Sequence, residues 1–154
     1  MQKMARRHLI GIGATLAVAP PLLATSPAFA ATGPLVAVWK NRGCACCTAW
    51  ARLLDDAGFV VAIHEIDDLG PARLAAGVPD DLVACHTAQV ASYTVEGHVP
   101  VEAVQRLLDL RPTLVGLAVP GMPVGAPGMA LPSMASDRSN VIAFTVDGGR
   151  YVFA

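Results

Sequence analysis

Three cysteines lie within four residues of this chain, at Cys44, Cys46 and Cys47. They follow an apolar run over residues 35–39 and open a segment with helical periodicity. Backbone N–H groups at the start of a helix favour a thiolate over a thiol. A thiolate is both a nucleophile in disulfide exchange and a ligand for soft metals, so the cluster predicts one of these two chemistries.

Several uses of the cluster have to be compared. Cys44 and Cys47 have the Cys-x-x-Cys spacing of redox proteins. A purely structural alternative is a disulfide between two of the three cysteines, with the remaining one as a buried thiol. A single pair would stabilise the fold equally well, so this alternative does not explain the third cysteine. Zinc and iron–sulfur sites stay open, although their usual ligand spacings differ. A c-type haem is excluded, because Thr48 stands where that motif needs histidine.

The helical spacing predicts how the thiols are arranged. Cys47 shares a helical face with Trp50 and Leu54, so we expect it to lean toward the core. Cys44 precedes the helix and should be more exposed. The fourth cysteine, Cys85, is a candidate for the opposite wall of the site.

Other soft or borderline ligands occur further along the chain. Met122 and Met129 lie in a segment rich in glycine and proline, and thiolate together with thioether selects Cu(I). His86 adjoins Cys85 and is the best histidine candidate, whereas His98 has a surface or helix-capping role as its alternative. The alternative for the methionines is simple packing of their loop.

The N-terminus predicts export. A positive start with Lys3, Arg6 and Arg7 precedes an apolar stretch over residues 9–23 and a small-x-small pattern that ends at Ala30. The adjacent arginines resemble a twin-arginine signal, with an ordinary secretory signal as the alternative. We therefore expect a signal peptide that is cleaved after Ala30.

Cleavage divides the 154 residues into a signal peptide, 1–30, and a single domain, 31–154. Without its three basic residues, the domain keeps 8 of the 11 Lys and Arg against 12 Asp and Glu, a net charge of −4. Such a charge, with no basic run, argues against nucleic acid as a partner. After cleavage, the remaining chain has no stretch that is apolar and long enough for stable membrane insertion.

Periodicity predicts an α/β fold. Strands over residues 35–39 and 59–63 flank a helix over 46–57, which makes a βαβ unit whose second strand we expect to be covered on both faces. The chain then predicts, in order, a short helix over 71–77, a strand over 89–95, a helix over 100–110, an irregular segment over 116–132, and a hairpin of residues 141–146 and 151–153.

This order of elements predicts a thioredoxin-like sandwich with a βαβ start and a C-terminal β-hairpin. Thioredoxins carry a cis-proline that faces the thiols, whereas Cys85-His86-Thr87 stands near that place here. If the fold is of this type, Cys85 faces the first three cysteines.

Four ordered motifs resemble those of the CopG-like family of exported metal-binding proteins. They are residues 44–47, 85–88, 95–100 and 116–129. The resemblance spans about residues 35–153 and implies a thioredoxin-like fold, a periplasmic location and a role in copper resistance or homeostasis.

The resemblance also implies copper, with Cu(I) favoured, bound chiefly by four cysteines. Histidines and methionines match further motif positions, and the whole set is Cys44, Cys46, Cys47, Cys85, His86, His98, Met122 and Met129. Expected partners are copper ions and other periplasmic copper-handling proteins. The alternative function is a thiol–disulfide oxidoreductase, or a copper-dependent redox protein, that uses the Cys44/Cys47 pair.

Overall fold

The computed structural model of the protein describes residues 33–129 and 140–153. The expected signal peptide and residues 130–132 of the predicted irregular segment lie outside these residues. None of the helices in the described part of the chain is long and apolar enough to cross a membrane.

One mixed sheet of seven strands organises the described residues. Its strands are β1 Leu35–Asn41, β2 Val60–Ile66, β3 His86–Val90, β4 Tyr93–Glu96, β5 Gly116–Ala118, β6 Ile142–Phe144 and β7 Arg150–Val152. Their order across the sheet is β2-β1-β3-β4-β5-β6-β7. The β1–β2 and β4–β5 pairs are parallel, and the others are antiparallel.

Three α-helices and one 3₁₀ helix connect the strands. They are α1 Ala45–Asp56, α2 Gly70–Ala75, the 3₁₀ helix Asp80–Leu82 and α3 Val101–Leu110. The α/β fold, the βαβ start and the C-terminal hairpin are therefore confirmed, and the fold is thioredoxin-like. The predicted bounds differ from the observed bounds by one residue at both ends of α1 and by one residue at the start of α3.

The main core lies between the sheet and helices α1 and α3. Trp50 and Leu54 of α1 and Leu107 of α3 are completely buried against β1 and the central strands. The other face carries a smaller cluster, in which Leu82 packs with Ala118 and Phe144. Apolar burial of this kind is worth roughly 25 cal/mol per Å² and is the main stabilising term of the fold.

Two strand predictions were wrong. The run over residues 89–95 is part of two strands, because Ala91 adopts a left-handed φ of 51° and turns the chain between β3 and β4. Alanine rarely marks such a turn. The second strand of the βαβ unit, β2, is an edge strand with half-buried or exposed side chains, since β3 occupies the other side of β1.

Residues 116–132 are not irregular throughout, because Gly116–Ala118 forms β5. Gly116 permits this pairing: a Cβ there would lie 2.0 Å from the Thr94 carbonyl oxygen. A strand this close to its neighbour can therefore carry only glycine at that position.

Gly116→Ala should lower the free energy of unfolding by about 3 kcal/mol, because the added methyl group collides with the β4 backbone. Urea unfolding followed by circular dichroism measures the change. Gly70→Ala is the matched control, since its methyl group would meet only a flexible Asp68 carboxylate oxygen at 3.2 Å. Equal stability of the Gly116→Ala variant and the unsubstituted protein would refute this account of β5.

Candidate metal centre

The first wall of the site is built where β1 turns into α1. Gly43 adopts a φ of +72°, and the Cys44 N–H then donates to the Asn41 carbonyl over 3.2 Å. The Thr48 hydroxyl donates to the Cys44 carbonyl over 3.2 Å. These bonds place Cys44 at the N-cap of α1, where the helix dipole favours negative charge.

Cys46 and Cys47 occupy the first turn of α1. Cys47 is completely buried and shares the inner face of the helix with Trp50 and Leu54, as predicted from the spacing. Cys44 and Cys46 are only half-buried. The predicted contrast between an inner Cys47 and an outer Cys44 is confirmed.

Cys85 supplies the opposite wall. It stands just before β3, next to Ala84, which forms an isolated bridge with Gly121. Its sulfur lies 3.9 Å from the Cys46 sulfur, and its carbonyl oxygen lies 3.7 Å from the Cys47 sulfur. The prediction that Cys85 faces the cluster is confirmed.

The four sulfurs form one compact group. Cys44 and Cys47 are joined in a disulfide, while Cys46 and Cys85 are free thiols. The Cys46 sulfur lies 3.5 Å from that of Cys44, and all four sulfurs lie within 4.8 Å of one another. The structure therefore shows the redox pair and the four-sulfur group in one place.

These separations fit a soft metal ion. Two sulfurs about 2.3 Å from a shared ion, at tetrahedral angles, lie about 3.8 Å apart. The 3.5 Å and 3.9 Å separations around Cys46 match that value. Thiolates are the ligand type that soft ions prefer. All four sulfurs can ligate only after the disulfide has been reduced.

Without a cation, the environment of Cys85 favours the neutral thiol. Burial raises the pKa of Cys85 to about 11, and the neighbouring Cys46 adds to the increase. Arg73 acts in the opposite direction but less strongly. A bound cation would reverse this preference, because it stabilises the thiolate directly.

His86 is buried beside the group rather than within it. Its ring lies 4.3 Å from that of Trp50 and 5.0 Å from that of His98, measured between centroids. Burial lowers the pKa of His86 to about 3, which leaves the imidazole neutral. Neither ring nitrogen finds a hydrogen-bond partner among the described residues.

His98 is also completely buried, so the alternative of a surface histidine is wrong. Its Nδ1 lies 2.7 Å from the Pro127 carbonyl oxygen. Because a carbonyl only accepts hydrogen bonds, Nδ1 carries the proton. Burial lowers the pKa of His98 as well, and its Nε2 is without a partner within the described ranges.

The segment that carries Met122 and Met129 contacts the chain near Cys85 and again at the start of α1. Gly121, the neighbour of Met122, bridges to Ala84, while the Met122 side chain is 57% exposed. Gly128 packs on the first turn of α1, where a Cβ would lie 2.9 Å from the Cys46 carbonyl oxygen. Met129 follows it and is half-buried. Both methionines are thus anchored by a direct neighbour against a cysteine-bearing segment.

The described residues include one more histidine, His64, which is exposed in β2 and stacks on Trp39 with ring centroids 5.4 Å apart. Sequence reasoning missed an ion pair between the half-buried Arg73 and the completely buried Glu96, 3.1 Å apart, next to Cys85. Its one sequence signal was an acidic residue between the two valines, Val95 and Val99.

Comparison with known proteins identifies relatives with the same architecture. A family model described as "Protein of unknown function, DUF411" matches residues 82–129. The solved chain "Copper resistance protein copG- Form 1" is 38% identical with a TM-score of 0.73, and the match covers 78% of this chain and 94% of that one. "Copper resistance protein copG- Form 2" is 37% identical with a TM-score of 0.74, covering 79% and 97%. No curated protein matches.

Cys85 should react slowly with iodoacetamide at pH 8 in the metal-free protein, because a pKa near 11 leaves little thiolate. Its rate should rise steeply as the pH approaches 11. Mass spectrometry of the modified peptides resolves Cys85 from Cys46. An exposed model thiol is the reference, and a Cys85 rate that reaches its plateau by pH 9 would contradict the assigned environment.

Proposed function

This chain belongs to the CopG-like family, and from that premise and the sulfur geometry we propose that it is an exported protein of copper resistance or homeostasis that binds Cu(I). The proposed ligands are the four cysteines, Cys44, Cys46, Cys47 and Cys85. The observation that carries the proposal is the approach of all four sulfurs within 4.8 Å.

The type of ligand argues for copper in its lower oxidation state. Thiolates are soft ligands and select Cu(I) over hard divalent ions. Cys46 and Cys85 are free in the structure, while Cys44 and Cys47 become ligands after two-electron reduction. A dithiol can supply these electrons: it is oxidised to a disulfide as the Cys44–Cys47 bond becomes two thiols.

Accessory ligands would come from the remaining candidates. The neutral, unpartnered imidazole of His86 adjoins Cys85, and the thioethers of Met122 and Met129 follow residues that pack on the two walls. His98 contributes with Nε2, since Nδ1 is engaged by Pro127. We propose that these four side chains modulate copper binding and that the cysteines dominate it.

The proposed location is the periplasm, after cleavage of residues 1–30, and the proposed partners are copper ions and other periplasmic copper-handling proteins. Cys44 is half-buried and the Met122 side chain is exposed, so solvent reaches both. Such exposed soft ligands would let an ion pass to a partner without unfolding of the site.

Each single change of Cys44, Cys46, Cys47 or Cys85 to serine should weaken Cu(I) binding at least about tenfold, because a hydroxyl is a poor ligand for a soft ion. The measurement is competition with a coloured Cu(I) chelator, using reduced protein under anaerobic conditions.

Ala45→Ser is the matched control, since it places the same hydroxyl on the exposed residue between Cys44 and Cys46 and removes no sulfur. Its affinity should equal that of the unsubstituted protein. If the four cysteine variants also retain that affinity, copper is not bound by this group.

A second function, thiol–disulfide exchange, is favoured by the Cys44–Cys47 disulfide at the start of α1. In this reaction the Cys44 thiolate attacks a substrate disulfide and releases one substrate thiol. The Cys47 thiol then attacks Cys44 and releases the second thiol, so that the Cys44–Cys47 disulfide forms again. A dithiol would regenerate the reduced protein.

Exchange activity would depend on two cysteines only. In a disulfide-reduction assay with metal-free protein and a dithiol, Cys44→Ser should abolish turnover, whereas Cys85→Ser should leave it within about twofold, since Cys85 takes no part in either step. The two functions thus differ in their need for Cys85. Absence of turnover in the metal-free protein would remove exchange as a function.

A further inference from the structure

The segment Glu96-Gly97-His98 supplies none of the four cysteines that we propose as the copper ligands. Glu96 and His98 are both completely buried. Charged residues are almost never fully buried unless they are paired, so Glu96 needs a specific reason to lie inside. Its contacts supply that reason.

Glu96 holds the residue that precedes Cys85. Its Oε1 accepts the Ala84 N–H over 2.8 Å and the Arg73 Nε–H over 3.1 Å. Its Oε2 accepts the Thr87 hydroxyl over 2.6 Å, while Arg73 donates through Nη2 to the Ala84 carbonyl. Both polar backbone groups of Ala84 are therefore bound to the Arg73–Glu96 pair.

Gly97 holds the residue that follows Cys85. Its N–H donates to the His86 carbonyl over 2.9 Å. Its φ of +73° favours glycine, and a Cβ there would lie 2.5 Å from the Ala84 Cβ. The backbone on either side of Cys85 is thus fixed by two consecutive residues at the end of β4.

These contacts satisfy backbone groups around Cys85 that regular sheet pairing satisfies elsewhere in the described chain. Cys85 precedes the first residue of β3, and Ala84 has one isolated bridge, to Gly121, rather than a ladder. Buried backbone groups need partners, and here side chains provide them. Without this support, the position of Cys85 relative to Cys46 would be poorly defined.

We infer that Arg73, Glu96 and Gly97 are positioning residues that hold the Cys85 sulfur within reach of the Cys46 sulfur and so set the affinity of the four-cysteine site. The inference rests on the proposed function for its copper readout and on geometry alone for its effect on Cys85. Partners of metal ligands commonly change affinity by about 10- to 100-fold when they are removed.

Three variants test the inference: Glu96→Ala, Glu96→Gln and Arg73→Met. Arg106→Met is the matched control, because it makes the same substitution at an arginine of α3 that packs on the Phe153 ring. One readout is Cu(I) affinity of the reduced protein. The other is the rate of Cys85 alkylation in metal-free protein on a Cys46→Ser background, where the disulfide leaves Cys85 as the reactive thiol. Thermal melting establishes which variants fold.

Glu96→Ala and Arg73→Met should lower Cu(I) affinity about 10- to 100-fold. Glu96→Ala should also raise the rate of Cys85 alkylation several-fold. Arg73→Met should raise it less, because the variant also loses a cation that lowers the pKa of Cys85. The Cu(I) affinity of Glu96→Gln should lie within about threefold of that of the unsubstituted protein, because an amide oxygen still accepts the Ala84 N–H. Arg106→Met should change neither readout. A merely stabilising role would lower the melting temperature without this pattern.

Folded Glu96→Ala and Arg73→Met proteins with unchanged affinity and unchanged alkylation would overturn the inference. If Glu96→Ala does not fold, Arg73→Met decides, since this side chain reaches the surface and is 19% exposed. If the unsubstituted protein binds no Cu(I), the proposed function fails, while the alkylation rates still decide whether these residues position Cys85.

Discussion

The site depends on the meeting of two chain segments whose cysteines, Cys46 and Cys85, are 39 residues apart. The register of β1 against β3 brings them together: Lys40, near the end of β1, pairs with His86, the first residue of β3. The C-terminal end of β1, from which the chain continues into α1, therefore lies beside the N-terminal end of β3. The cysteines of α1 and Cys85 must meet at this end of the two strands.

Electrostatics restrict the states that this arrangement can adopt. Four thiolates within 4.8 Å would repel one another, and burial adds a desolvation cost. The helix N-terminus and Arg73 offset part of this cost. The structure reduces the charge by joining Cys44 to Cys47 and by keeping Cys85 as a thiol. A soft cation would neutralise the same charge in the reduced protein, so disulfide formation and metal binding compete for the same sulfurs.

The features that sequence could predict are local ones. The spacing of Cys47, Trp50 and Leu54 indicated the inner face of α1 correctly, because helical periodicity depends only on neighbouring residues. Gly148 likewise marks the turn between β6 and β7. The facing position of Cys85 followed from the expected fold rather than from its neighbours.

The features that sequence missed depend on contacts between distant segments. Ala91 takes a left-handed turn that its residue type does not indicate, so one apolar run became β3 and β4. β2 lies at the sheet edge because β3 pairs with β1, which a βαβ pattern does not specify. The burial of His98 requires Pro127, and that of Glu96 requires Arg73; neither partner is near in sequence.

Copper K-edge X-ray absorption of the reduced, Cu(I)-loaded protein decides whether sulfur from both segments binds one copper site. We expect a first coordination shell dominated by sulfur in the unsubstituted protein, with fewer sulfur neighbours per copper in the Cys85→Ser variant. A shell of nitrogen and oxygen, or one that Cys85→Ser leaves unchanged, would contradict this expectation.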